Sequence, residues 1–222
     1  MPDRYRESPT CQIENLLDLY AAHIGYKPDG AFVEVGAHDG LAWSNTWGLA
    51  LAGWRGLCIE ANPHYADLCR ATYAAHPNVE TVCVAVGAQA GVADLFLSGS
   101  TSTIVPEMVD VYNGYPELRG GSREHSIPVE VVTLDTLLAE RDWPARYDVL
   151  VVDVEGAELD VLAGYDLARW RPTLAIVETH AHLDYAPLAA KAAPINGYFA
   201  QHGYALVQAD TVNSVYVWRG EA

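Results

Sequence analysis

AFVEVGAHDGLAWSN, residues Ala31 to Asn45, is the stretch whose reading decides the fold. The apolar run Ala31-Phe32-Val33, continued by Val35 and stopped by Gly36, predicts a short buried strand. Ala37, His38, Asp39 and Gly40 are the small and polar residues of a tight turn over which a ligand can approach the backbone. Ser44 is a good N-cap, so a helix is predicted from Ser44 to about Ala52, its free N–H groups facing the turn. Strand, glycine turn and helix start together make a nucleotide-type pocket. The spacing is E-x-G-x-x-x-G, not the G-x-G-x-x-G of a dinucleotide fingerprint.

Working outward, Cys11 to Gly25 has apolar residues at helical spacing, after a loose tail over residues 1 to 10. Beyond the opening stretch, Leu57-Cys58-Ile59 predicts a strand ending at Glu60, Pro63 to His76 a helix, and Val79 to Val86 a third strand. This alternation predicts a parallel sheet covered by helices, joined by right-handed crossovers. Val92 to Leu97 and Ile127 to Thr133 alternate as strands, and Leu134 to Arg141 reads as a helix. Between them, Ser98 to Ser126 is rich in Gly, Ser, Thr, Tyr and Pro and lacks periodicity, as in a functional lid or an unstructured insertion. Val149 to Val152 ends at Asp153, a short helix closes at Gly164, and Leu174 to Val177 ends at Glu178. A helix over Ala186 to Gln201, interrupted near Pro194, precedes two last strands, Ala205 to Gln208 and Val215 to Trp218, expected as an antiparallel pair. The expected fold is α/β, a mostly parallel sheet with helices on both faces. The 222 residues are expected to form one domain, with an N-terminal tail and helix over 1–30 and a substrate lid over 98–126.

Charge and composition narrow the function. With 29 acidic against 13 basic residues the net charge is −16, which repels phosphate backbones, and no nucleic-acid partner is expected. No apolar run is long enough for a membrane span, and MPDRYRESPT lacks the apolar core of a signal peptide. Cys11, Cys58, Cys69 and Cys83 fit neither a metal motif nor a disulfide framework, so a reduced, cytoplasmic setting is expected, with Cys58 and Cys83 in the core. The six tryptophans, Trp43 among them, read as packing residues.

Ligands of open α/β sheets collect at the carboxyl ends of the strands. Glu34 and Asp39 flank the first turn, and Glu60, Asp153 and Glu178 close later strands. Glu60, after the second strand, is placed to accept both hydroxyls of a ribose. A pyrophosphate would be repelled by this rim, because phosphates favour N–H nests without facing carboxylates. S-adenosylmethionine, with sulfonium, ammonium, ribose and adenine, fits it.

FVEVGAHDG, then SNT at Ser44 to Thr46, GWRGLCIEANP at Gly53 to Pro63, VCVAVGAQAG at Val82 to Gly91 and VVDVEGAELDVLAGYD at Val151 to Asp166 resemble the FkbM family of class I methyltransferases. The resemblance runs in order over about residues 30 to 180, with DVEGAE its most specific element. It implies a seven-stranded Rossmann-like fold, S-adenosylmethionine as cofactor, and methyl transfer to a hydroxyl of a sugar or small secondary metabolite. Carried over by position, Glu34, Gly36, Ala37, His38, Asp39, Gly40 and Asn45 would hold the methionine end. Glu60, Ala61 and Asn62 would take the ribose, Ala85 and Val86 would border the adenine, and Asp153 would lie near the methyl and amino groups.

Methyl transfer needs alignment of acceptor and methyl group, and a hydroxyl acceptor must also lose its proton. Asp153, Glu155, His180 and His182 are the catalytic candidates, with Glu178 on the same rim. No metal ligand set is assigned, although Asp153 with Glu178 leaves a divalent metal open as a second cofactor. Tyr112, Tyr115 and Arg119 suit either a lid or an oligomer contact, and a homo-oligomer is compatible with the sequence. A nicotinamide-dependent oxidoreductase and a non-catalytic nucleoside-binding module are the competing functions.

Overall fold

The structure, a computed structural model, describes residues 5–11, 13–115, 120–180 and 190–220. The opening stretch forms β1 (Ala31–Val35), buried at every position. It is an inner strand of a seven-stranded sheet with β2 (Arg55–Ile59), β3 (Val79–Val82), β7 (Arg146–Val152), β8 (Arg171–Glu178), β9 (Tyr204–Ala209) and β10 (Asn213–Trp218), in the order β3-β2-β1-β7-β8-β10-β9. The first five of these run parallel, and β10 runs antiparallel to both β8 and β9, as the sequence predicts.

Strands covered on both faces need apolar residues at successive positions, which explains their unbroken hydrophobic runs. Val33, Val35, Leu57, Ile59, Leu150 and Val152 face one layer, with α5 (Leu134–Glu140), α6 (Glu158–Ala163) and α7 (Ala192–Gln201) packed on it through Leu138, Val161 and Phe199. Phe32, Cys58, Val149, Val151 and Ile176 face the other, covered by α1 (Leu16–His23), α2 (Trp47–Leu51) and α3 (Pro63–Thr72) through Leu16, Tyr20, Leu49 and Cys69.

Several boundaries differ from the sequence reading. The strand expected over Val79 to Val86 is two strands in two sheets: β3 pairs with β2, whereas β4 (Ala85–Val86) pairs with β6 (Ser126–Val132). With β5 (Gly91–Phe96) these make a second, three-stranded sheet in the order β4-β6-β5. Apolar alternation carries through the change of partner, so the sequence does not mark it. The 98–126 segment is not structureless: Phe96 bridges Thr103, and α4 (Pro106–Asn113) starts on a proline, whose missing N–H costs nothing in a first turn. Pro194 is likewise the third residue of α7 and does not interrupt it. Helix α2 begins at Trp47 and not at Ser44, because the chain from Ser44 to Thr46 is bonded to Glu34. The Ser44 hydroxyl still accepts from the N–H groups of Thr46 and Trp47, at 3.2 and 3.0 Å. Cys83 is only half-buried and Trp43 is exposed, unlike Cys58 in the core. All four cysteines are free thiols.

The register fixes where the acids end up. Val35 is opposite both Ile59 and Val152, and Val152 is opposite Val177. One residue on, Gly36, Glu60, Asp153 and Glu178 therefore come level across the sheet. Gly36 has φ +86°, and a Cβ there would lie 1.6 Å from the carbonyl oxygen of Asp153. A Gly36→Ala chain is expected to lose about 3 kcal/mol or more of stability in urea unfolding. Gly53→Ala, at φ +92° but with nothing within 4 Å of the added carbon, should lose only about 1 kcal/mol.

Candidate functional site

The turn after β1 is held from two sides. The N–H groups of Gly36 and Ala37 donate to Ile59 O at 2.8 and 3.0 Å, tying the turn to β2. From α3 and its end, the Thr72 and Tyr73 hydroxyls each donate at 2.7 Å, to Asp39 O and Gly40 O. Asp39 Oδ1 accepts from the N–H groups of Leu41 and Ala42. Burial alone would raise the Asp39 carboxyl, but these bonds and His38 bring it below its usual range. The His38 ring lies on that of Tyr65 with centroids 3.9 Å apart.

Glu60 bridges the two neighbouring turns: its carboxylate accepts from His38 N at 2.9 Å and from Asn62 N at 2.7 Å. Burial nevertheless pushes its pKa up. Asn62 caps α3 by accepting from His64 N.

Two cavities open at these strand ends. The larger, about 320 Å³, is lined by Gly36, Ala37, His38, Trp43 and Asn45 on one side and by Asp153, Glu155, Glu178, His180 and Tyr112 on the other. The smaller, about 50 Å³, is apolar, lined by Val84, Ala85, Val86, Leu95 and Ile104, with Glu60 and Ala61 at its edge. Gly36, Asp153 and Glu155 line both. The structure thus brings together most of the residues the sequence singles out. Asp39, Gly40 and Asn62 instead hold the turns behind them, and none of them lines either cavity. His182 and Arg119 lie outside the described residues, and Tyr115 stands away from both cavities. Ser100, Thr101 and Val212 also line the larger cavity. No sequence signal marks them, since they come from an insertion and a turn without periodicity.

The acids are not equivalent. Glu34, buried on the floor of the larger cavity, accepts from Ser44 Oγ, from Asn45 N at 3.2 Å and from Thr46 Oγ1 at 2.7 Å. It organises the approach to α2, and burial still lifts its carboxyl to about 7. Burial also raises Asp153 to about 7, with Glu158 adding repulsion. Glu155 and Glu178 are pushed well above the carboxylate range, by burial first and then by the charges of Glu178 on Glu155 and of Asp153 on Glu178. Tyr112, on α4, donates its hydroxyl to Glu155. Glu158 is committed to the turn before α6, accepting from Gly156 N at 2.8 Å, with Lys191 Nζ 3.6 Å away. His180 has left-handed backbone (φ 48°), and burial lowers its pKa, which favours the neutral ring.

The model of the methyltransferase FkbM domain family matches residues 34–206. No curated protein sequence matches the chain. Among solved structures, the chain is similar to the METTL16 methyltransferase domain, with TM-score 0.51, 13% identity, and 92% of this chain and 66% of that one covered. It is also similar to monomeric WbdD, with TM-score 0.50, 12% identity, and 98% and 46% covered, so that it spans about half of that chain. At such identities the likeness is one of fold: an α/β methyltransferase sheet of class I.

Glu34 gives this site a pH signature. In the unfolded chain a glutamate titrates near 4.3, so between roughly pH 4 and 7 the folded chain holds the extra proton. Stability is then greatest below that window and falls as pH rises through it, by on the order of 3 kcal/mol for this carboxyl. Urea unfolding in EDTA is expected to show that fall in the wild type and a smaller one in Glu34→Gln. Parallel profiles would contradict the assignment.

Proposed function

The chain belongs to the FkbM methyltransferase family, and on that premise we propose that it transfers a methyl group from S-adenosylmethionine to a hydroxyl of a sugar or small secondary metabolite. The observation that carries this reading is the pair of cavities meeting at Gly36, Asp153 and Glu155. In it, adenine goes to the apolar cavity against Ala85 and Val86, the ribose hydroxyls to Glu60 beside Ala61, and the methionine end to the turn of Gly36, Ala37 and His38, with Asn45 beyond. The sulfonium then stands at the shared wall, where Asp153 compensates its charge. The acceptor enters through the larger cavity, past the exposed ring of Trp43.

The residues fit the cofactor in chemistry more closely than in volume. Ligand pockets usually run to ~300 Å³ or more, so the smaller cavity must open for adenosine. Ser102 to Ile104 form one of its walls. Bound S-adenosylmethionine supplies an electrophilic methyl group for in-line displacement. The chain's own part is to align the acceptor and remove its proton. His180, neutral and on the cavity wall, is one acceptor for that proton, and Asp153 and Glu155 are the others.

A dinucleotide is disfavoured by Glu34, Asp39 and Glu60 around the turn where its pyrophosphate would lie. Among the described residues no helix is long and apolar enough to cross a membrane, and a reduced, cytoplasmic setting is part of the proposal. Isothermal titration is expected to show tight binding of S-adenosylhomocysteine and none of NADH. Glu60→Ala should weaken the former by roughly 10- to 100-fold, the loss of a buried, charge-assisted pair of hydrogen bonds. Labelled methyl incorporation into a panel of glycosides and metabolite extracts should then identify a hydroxyl acceptor. Binding of neither ligand would mean a non-catalytic module.

A further inference from the structure

Asp153, Glu155 and Glu178 each place one carboxylate oxygen within 4.8 Å of the other two. Three carboxylates so close repel one another, and the nearby cation is already engaged. Lys191 Nζ donates to Gly156 O at 2.9 Å and stands 3.6 Å from Glu158 Oε2. Tyr112 offers one neutral hydroxyl, to Glu155 alone.

A second observation, independent of the acids, comes from His180. The ring stands beside Glu178, its Nε2 3.1 Å from Oε1. Its backbone N–H is bonded to Val212 O at 2.9 Å, which fixes the left-handed turn that points it there. Yet neither ring nitrogen makes an aligned hydrogen bond among the described residues, and neither does Glu178 Oε2. Glu178 is 5% exposed and His180 8% exposed, so water does not satisfy these atoms freely. Buried polar atoms are almost always partnered.

We propose that Asp153, Glu155 and Glu178 form a binding site for one divalent cation of the Mg²⁺ or Mn²⁺ class, with His180 against Glu178 at its edge. Carboxylate oxygens suit such hard ions. The ion would balance the carboxylates and face the larger cavity. An acceptor hydroxyl bound to it would lose its proton more readily. The inference deepens the methyl-transfer reading at the same site, but cation binding can be measured without turnover.

The test uses the full chain stripped with EDTA and titrated with Mn²⁺, free ion being followed by electron paramagnetic resonance, with and without S-adenosylhomocysteine. One Mn²⁺ per chain, displaced by excess Mg²⁺, is expected. Glu178→Gln and Glu155→Gln should each weaken binding at least tenfold while keeping the wild-type circular dichroism spectrum. As a measurement that needs no variant, Mn²⁺ at a hundredfold excess over its dissociation constant should raise the wild-type Tm by about 5 °C. Absence of both stoichiometric binding and a Tm shift, or folded variants that bind as tightly as wild type, would overturn the site. Binding of S-adenosylhomocysteine without Mn²⁺ would sink the cation site alone. Mn²⁺ binding without the nucleoside would support the cation site and sink the functional reading.

Discussion

Negative charge gathered at one end of a parallel sheet is the constraint on which the structure turns. A parallel register sends the ends of β1, β2, β7 and β8 to the same edge, and the level pairing of Val35, Ile59, Val152 and Val177 puts Glu60, Asp153 and Glu178 in one row with Gly36. An uncompensated buried carboxylate costs several kcal/mol. A fold that needed only stability would place apolar or neutral residues there. Keeping acids at such positions makes sense where a cation completes the site, and a sulfonium nucleoside does so in a way that a dinucleotide cannot.

The way each acid is satisfied separates structure from function. Glu34 has its oxygens filled by two hydroxyls and a backbone N–H of the loop it organises, and Glu60 is held by the N–H groups of His38 and Asn62. Both are built into turns, although Glu60 keeps an edge on the apolar cavity. Glu158 serves the turn before α6. Among the described residues, Glu178 Oε2 makes no hydrogen bond, and neither does either ring nitrogen of the neighbouring His180. Residue type is the same for all four acids. Only the hydrogen-bond pattern distinguishes an acid that shapes the pocket from one that awaits something in it.

Much of this was legible in the sequence, for physical reasons. Buried parallel strands leave unbroken apolar runs, so β1, β2, β7 and β8 and the acids closing them could be located by eye. The turn of Gly36 to Gly40 announced itself because few residues but glycine tolerate its backbone. What the sequence concealed depends on partners remote along the chain. Nothing in Val79 to Val86 tells that Val82 pairs with β2 while Ala85 pairs with Val131. Ser44 looks like a helix cap, and only the buried Glu34 shows why the helix waits until Trp47. Asp39 has the composition of a ligand contact, yet its bonds to Leu41 and Ala42 make it a turn-former. Trp43 breaks the rule that tryptophans pack inside, since its left-handed backbone (φ 57°) holds it at the cavity mouth.

The insertion after β5 links the two cavities. Ser102, Thr103 and Ile104 wall the apolar one, while Ser100, Thr101 and Tyr112 wall the polar one. Thr103 Oγ1 donates to Glu155 O at 2.8 Å, and nine residues on the Tyr112 hydroxyl reaches the carboxylate of the same Glu155. One residue at the shared wall is therefore gripped at backbone and side chain by the insertion. Glu155 lines both cavities, so the insertion and the two cavities share this single glutamate, and a change in how the insertion packs would be felt in both without any change in the sheet.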